Sequence, residues 1–167
     1  MIIRPERPDD RRPIYELNEA AFGSTTEAAL VNRLRVEAAP IVSLVADEDG
    51  TMLGHILFSP VTLQGRAELR LMGLAPMAVL PDYQRRGIGS ALVRAGLDAC
   101  TRLGCDAVIV LGHAEYYPRF GFVPASRFEL RSEYDVPDEV FMALELRPGV
   151  FGAAGGTIRY HPAFADV

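Results

Sequence analysis

Apolar and polar positions alternate along the chain in a way that divides it into strands and helices before any motif is considered. Ile2-Ile3-Arg4 reads as a short first strand, ended by Pro5 and Pro8. Asp9 and Asp10 stand where caps belong, ahead of a helix over residues 10–22 with Ile14, Leu17, Ala20 and Ala21 on its apolar side. Ser24-Thr25-Thr26-Glu27 matches a capping box and opens a second helix that turns Leu30, Val31 and Leu34 inward. Ile41 to Ala46 is a β-branched run, Asp47-Glu48-Asp49-Gly50 a hairpin turn, and Thr51 to Ser59 a strand limited by Pro60. The next strand covers Leu69 to Val79. Pro76 inside it removes a ladder donor, so an edge, a bulge or a break is expected there.

The second half continues the alternation. The apolar run Leu71 to Leu80 is stopped by Pro81-Asp82, and a helix follows to residue 103, with Ile88, Ala91, Leu92, Ala95, Ala99 and Leu103 at amphipathic spacing. Arg94, Asp98 and Arg102 stand at salt-bridge spacing on its outer side, and Gly104 suits the position after its end. Ala107 to Leu111 is continuously apolar, as expected of a parallel strand buried on both faces after a crossover helix. Ala114 to Phe120 is expected as a short helix, Gly121 to Val123 as extended chain, and Asp138 to Leu146 as a last core strand with Val140, Met142, Leu144 and Leu146 on one side. A glycine- and alanine-rich tail from Pro148 ends in an extended piece at Thr157 to Tyr160. The order β-α-α-β-β-β-α-β-α-β predicts an α/β fold: a mixed central sheet flanked by helices, in one domain over residues 1–167, with 148–167 an extension packed on it.

Composition narrows the function. A chain of 167 residues, 49% hydrophobic and 23% charged, is large enough for one well-filled core. Its net charge of −5 argues against nucleic acid as a partner and makes the basic pair Arg85-Arg86 conspicuous. The start lacks an apolar signal region and no run reaches the roughly eighteen apolar residues of a membrane span, so a cytoplasmic protein is expected; its oligomeric state is not written in the sequence, and either a monomer or a homodimer fits. Cys100 and Cys105 form no disulfide framework, and with His55, His113 and His161 they match no zinc spacing, so no metal is expected. Signatures of nucleotide hydrolysis, dinucleotide redox chemistry, zinc proteolysis and serine hydrolysis are all missing.

The stretch from Gln84 to Ser90 carries the chemistry. Gly87 and Gly89 stand in a first helical turn where ordinary residues would be favoured by about 1 kcal/mol each. Arg85 and Arg86 stand at the positive end of the helix dipole, where anions are favoured and bases are not. Bare N–H donors, absent Cβ atoms and two arginines suit a phosphate-bearing ligand. A glycine turn with solvated arginines is the plainer alternative.

Gln84-Arg85-Arg86-Gly87-Ile88-Gly89 also resembles the Q/R-x-x-G-x-G/A signature of the GCN5-related N-acetyltransferases, whose pyrophosphate loop binds acetyl-coenzyme A. The resemblance covers residues 1–146 and implies a splayed sheet. It further implies that Met77, Ala78 and Val79 end a bulged strand whose amides face the pantetheine arm, and that Gln84, Arg85, Arg86, Gly87, Ile88, Gly89 and Ser90 hold the diphosphate. Tyr116-Tyr117-Pro118-Arg119-Phe120-Gly121-Phe122 is similar to the family's second signature, which places Tyr117 beside the sulfur as general acid. A tyrosine, with a pKa near 10, can protonate a thiolate; a packed core tyrosine is the alternative. The expected reaction is acetyl transfer from acetyl-coenzyme A to a primary amine by direct attack in a ternary complex. The strand Leu71 to Val79 lacks the carboxylate that some members carry, which leaves Glu27 or His113 as candidate bases, or an ordered water. The rival from another class is a non-catalytic acyl-coenzyme A sensing module, which needs the loop and not Tyr117.

Overall fold

Asp49 and Gly50 have φ of 51° and 88° in the computed structural model of residues 1–167, the left-handed pair that a type I′ hairpin requires. They join β2 (Val42–Glu48) to β3 (Thr51–Leu63). The other elements in chain order are β1 (Ile2–Pro5), α1 (Arg11–Phe22), α2 (Thr26–Glu37), β4 (Leu71–Val79), α3 (Ile88–Arg102) and β5 (Ala107–Leu111). They are followed by β6 (Val123–Pro124), β7 (Leu130–Ser132), β8 (Phe141–Glu145) and β9 (Gly156–Arg159). The main sheet runs β1-β2-β3-β4-β5-β8-β6. Its one parallel pair is β4 with β5, joined by the crossover helix α3; the other neighbours are antiparallel. The fold is therefore the mixed α/β sheet flanked by helices that the alternation predicts.

The two faces bury different helices. Ile88, Leu92, Val93, Leu97 and Cys100 of α3 pack on Ile56, Phe58, Met72 and Leu74. On the opposite face, Ile14 of α1 and Leu30, Val31 and Leu34 of α2 cover Val45 and Leu57. A third apolar cluster joins Val61, Leu63, Ile109 and Phe141 to Phe151 and Ile158 of the tail. There β9 pairs with the far end of β3, Leu63 opposite Ile158, and with β7.

Several local expectations are corrected. The buried side of α3 is turned toward Val93, Gly96, Leu97 and Cys100, away from Ala91, Ala95 and Ala99, because the Phe58 ring lies where a Cβ on Gly96 would stand. Arg94 forms no pair with Asp98; its guanidinium lies 5.2 Å over the Phe120 ring. On α1, Asn18 is buried and Ala20 exposed. The capping box does not close: α2 starts at Thr26, so Glu27 falls too early to reach back to the cap, and Ser24 Oγ meets its carboxylate only at 3.4 Å. Pro60 does not end β3, because it falls between the last β2 pair at Phe58 and the first β9 pair at Thr62, where no ladder bond on that edge is required of it. The short helix contracts to one 3-10 turn, Tyr117–Phe120. The last core strand begins at Phe141, after a 3-10 turn at Asp138–Val140. It is buried on both faces, Met142 facing α3 and Phe141 with Ala143 facing the tail.

Beneath α1 lies a polar relay. His55 is fully buried, its Nε2 2.9 Å from Ser43 Oγ and its Nδ1 3.4 Å from Asn18 Nδ2. Ser43 donates its single hydroxyl proton to Glu6, which is paired with Arg35 at 2.6 Å. Ser43 therefore accepts from a protonated Nε2, and Nδ1 accepts from Asn18. An added proton on Nδ1 would face the Asn18 amide donor. Burial lowers the His55 pKa from 6.5 to about 4, against the attraction of Glu6 and with the help of Arg35. Between those values the unfolded chain takes up a proton that the folded chain refuses, so stability falls as pH drops from 6.5 toward 4, with a limiting slope of about 1.4 kcal/mol per pH unit. Urea unfolding at pH 7 and pH 5 is expected to show this loss in the wild type and a clearly smaller one in His55→Gln; equal losses would place the effect elsewhere.

Candidate active site

Strands β4 and β5 run side by side only from Leu71 opposite Ala107 to Leu74 opposite Val110. On the other edge of β4, Ile56 pairs with Met77 and Phe58 with Leu74, so Leu57 alone faces both Ala75 and Pro76. Two residues against one make a β-bulge, which bends the strand, and beyond it β4 parts from β5. Leu80 N donates to Leu53 O at 2.9 Å. Main-chain groups alternate along a strand, so the N–H and C=O of Val79 point away from β3, into the gap. The Val79 carbonyl accepts from Gln84 Nε2 at 3.1 Å. Its N–H is left directed into the opening.

The loop after β4 is shaped by two left-handed residues, Arg85 with φ 64° and Gly87 with φ 83°. None of the main-chain N–H groups from Arg85 through Ser90 donates a hydrogen bond within the protein; the first with a partner is that of Ala91, to Gly87 O at 3.0 Å. Successive amides in such a curve form a concave anion-binding nest, here at the positive end of α3. Both arginines are exposed beside it, Arg86 lying 5.2 Å over the Tyr83 ring. Ile88 is buried and anchors the turn in the core. A Cβ on Gly89 would lie 3.4 Å from Met77 Cε and from Tyr116 Oη, and Tyr116 Oη is 3.0 Å from Ser90 Oγ. The loop is thus braced against both the end of β4 and the tyrosine turn.

Behind the opening lies a cavity of about 560 Å³. Met77, Tyr117, His113 and Glu27 all line it, the first from β4, the next two from the segment after β5, the last from the corner between α1 and α2. Tyr117 is held edge-on to Tyr116 at 5.0 Å and to Phe122 at 5.7 Å. Its ring also fills the space that a side chain on Gly112 would need. Its hydroxyl has no hydrogen-bond partner in the protein, and burial, with a smaller effect of Tyr116, pushes its pKa up to about 12. The phenol therefore keeps its proton across the neutral range. His113 is exposed at the rim, and Glu27 is half-buried and free of a capping role.

The residues singled out from sequence thus fall into two connected groups, the loop Gln84 to Ser90 with Val79 at the opening, and Tyr117, Glu27 and His113 around the cavity. Ala78 is buried and its carbonyl faces β3, toward Gly54, so it belongs to the sheet and not to the opening. Sequence reasoning did not find the far wall, made by Phe22, Leu30, Tyr134, Val136, Tyr160 and Phe164. Its only sequence signal is the presence of aromatic residues in a tail otherwise poor in large side chains.

Comparison with known proteins agrees with this geometry. Residues 10–122 match the acetyltransferase (GNAT) family. The N-acetyltransferase YhbS of Escherichia coli is 36% identical over 165 residues, 98% of each chain, and YjhQ of the same organism is 42% identical over 134 residues, 78% of this chain and 74% of its own. The crystal structure of YhbS in complex with CoA superposes with a TM-score of 0.92 at 35% identity, over 98% of this chain and 91% of that one. A GNAT acetyltransferase from Brucella melitensis in complex with acetyl-CoA gives 0.81 at 38% identity, over 98% and 97%. Sequence family, near full-length relatives and the splayed sheet agree, and the chain belongs to the GNAT family of acetyltransferases.

Proposed function

We propose that this acetyltransferase moves the acetyl group of acetyl-CoA onto a primary amine by direct attack, with both substrates bound together. The observation that carries the reading is the row of unpartnered amides, Arg85 to Ser90, at the mouth of a gap that leads to the free hydroxyl of Tyr117. Two relatives of known structure hold CoA and acetyl-CoA, and the residues here fit the same donor. The amides of the loop bind the diphosphate, with Arg85 and Arg86 adding charge. Val79 N–H stands where it can polarise the thioester carbonyl, an interaction of the kind worth about 10²–10³ in rate.

The acceptor ammonium first gives up one proton, to Glu27, His113 or a water between them. Its nitrogen then attacks the carbonyl carbon, forming the C–N bond as the C–S bond breaks. The second nitrogen proton leaves to solvent, and the departing thiolate takes the phenolic proton of Tyr117, which is restored from water. One proton is released per turnover, and no covalent enzyme intermediate is needed. A binding module without catalysis would need the loop alone; a partnerless phenol projecting into a cavity favours the enzyme.

Gly87→Trp places a ring before the nest, in space that is open around Gly87. Calorimetric titration is expected to show at least a tenfold weaker Kd for acetyl-CoA with cooperative unfolding retained; unchanged affinity would remove the loop from the donor site. Tyr117→Phe is expected to lower kcat about 10²-fold while leaving acetyl-CoA affinity intact, as read by coenzyme A release with any amine the wild type turns over. Unaltered kcat would assign the proton to another group.

A further inference from the structure

The cavity beyond Tyr117 is walled in a way that selects among amines. The pocket lies on the sheet face covered by α1 and α2, opposite α3, with Met77 and Tyr117 at the seam. Its far wall is apolar and aromatic. Phe22 and Leu30 come from the α1–α2 corner, Tyr134 and Val136 from the segment before β8, and Tyr160 and Phe164 from the tail. Tyr134 and Tyr160 are stacked at 5.5 Å with 26° between their planes, and Phe164 continues the surface 5.9 Å from Tyr160. Phe22 is 43% exposed although large and apolar, which suits a side chain at the mouth of a pocket more than one on bare surface.

Charge sharpens the selection. Glu27 is the only carboxylate side chain on the cavity lining; besides the tyrosines, the ionisable groups there are His113 and the α-carboxylate of Val167. The neighbouring Glu133 is committed to Arg159 at 3.2 Å and to the Tyr160 amide at 3.1 Å. Asp135 and Asp138 line an adjoining groove outside the cavity. Glu27 matches one ammonium at the corner by the opening; the further cations of a polyamine would lie against a lining that is apolar over most of its extent, and a buried charge without a partner is strongly disfavoured. The volume of about 560 Å³ lies well above the roughly 150 Å³ that holds benzene.

Resting on the acetyl-transfer reading above, we infer that the acceptor is a monoamine, a single primary ammonium carried on an apolar body the size of an aromatic ring. Its ring lies against the Tyr134–Tyr160–Phe164 wall and its nitrogen reaches past Glu27 toward the opening by Tyr117. Polyamines and aminoglycoside-like polycations are disfavoured by the same wall.

The test compares 2-phenylethylamine with spermidine as acceptors for the full chain, with coenzyme A release as readout and acetyl-CoA binding measured separately. The expected kcat/KM for 2-phenylethylamine is at least tenfold above that for spermidine. Val136→Glu is expected to raise the KM for 2-phenylethylamine at least tenfold and leave the KM for acetyl-CoA unchanged. Phe22→Ala, a truncation at an exposed position that serves if Val136→Glu does not fold, is expected to raise it several-fold. A preference for spermidine, neither amine acetylated although acetyl-CoA binds, or folded variants with unaltered KM would overturn the inference while leaving the transferase reading in place. Failure of the wild type to bind acetyl-CoA would overturn the reading itself.

Discussion

The parting of β4 from β5 after Leu74 is the constraint on which the rest of the structure depends. Two neighbouring parallel strands are held by slanted hydrogen bonds, and every N–H that loses its partner in a dry interior costs about 1–3 kcal/mol. Here the separation is tolerable for two reasons. The bulge opposite Leu57 puts Pro76, which has no N–H to lose, at the bend, and the groups released further on open into a gap and not into packed side chains. The Val79 carbonyl is taken by Gln84. Its amide and the amides of Arg85 to Ser90 are what remains, the first freed by the bulge in β4 and the others by the left-handed turn that opens α3.

The two faces of the sheet then divide the work. On one, α3 is drawn close by Gly96 against Phe58, which fixes the height of its first turn relative to β4 and so the place of the loop. On the other, α1 and α2 pack on Val45 and Leu57 while their corner leans over the opening with Phe22 and Glu27. Met77 and Tyr117 belong to both sides. Tyr116 braces Ser90 with its hydroxyl, while Tyr117, one residue on, turns its own into the cavity. Adjacent tyrosines of the same chemistry thus meet different demands because Tyr116 caps the 3-10 turn and Tyr117 is its first residue, their rings edge-on to each other.

The tail closes the cavity because β3 is longer than its one proline, Pro60, suggests. Past Pro60 the strand continues through Thr62 and Leu63, and these residues pair with β9. That pairing carries Tyr160 and Phe164 over the α1–α2 side, where Phe164 packs near Ala163 and Leu30. A strand ending at Ser59 would leave the tail without an edge to join and the pocket without its aromatic wall.

Local rules made much of this legible in the sequence. The Asp-Gly hairpin, the continuously apolar Ala107 to Leu111, the break expected at Pro76 and the glycine-rich helix start at Gln84 to Gly89 each follow from what neighbouring residues permit of one another, and such constraints survive into any fold the chain adopts. Tertiary packing decided what depends on residues far apart. The rotation of α3 toward Gly96 came from Phe58, the freeing of Glu27 from a helix start one residue later, and the meeting of Glu27, His113 and Tyr117 from the sheet order. The wall of Phe22, Tyr134, Tyr160 and Phe164 has no common sequence period, since its members lie on a helix end, two loops and a terminal turn. Backbone sterics act within a few residues and can be read along the chain; the shape of a cavity is set by which distant surfaces exclude water together, and that is fixed only when the sheet closes.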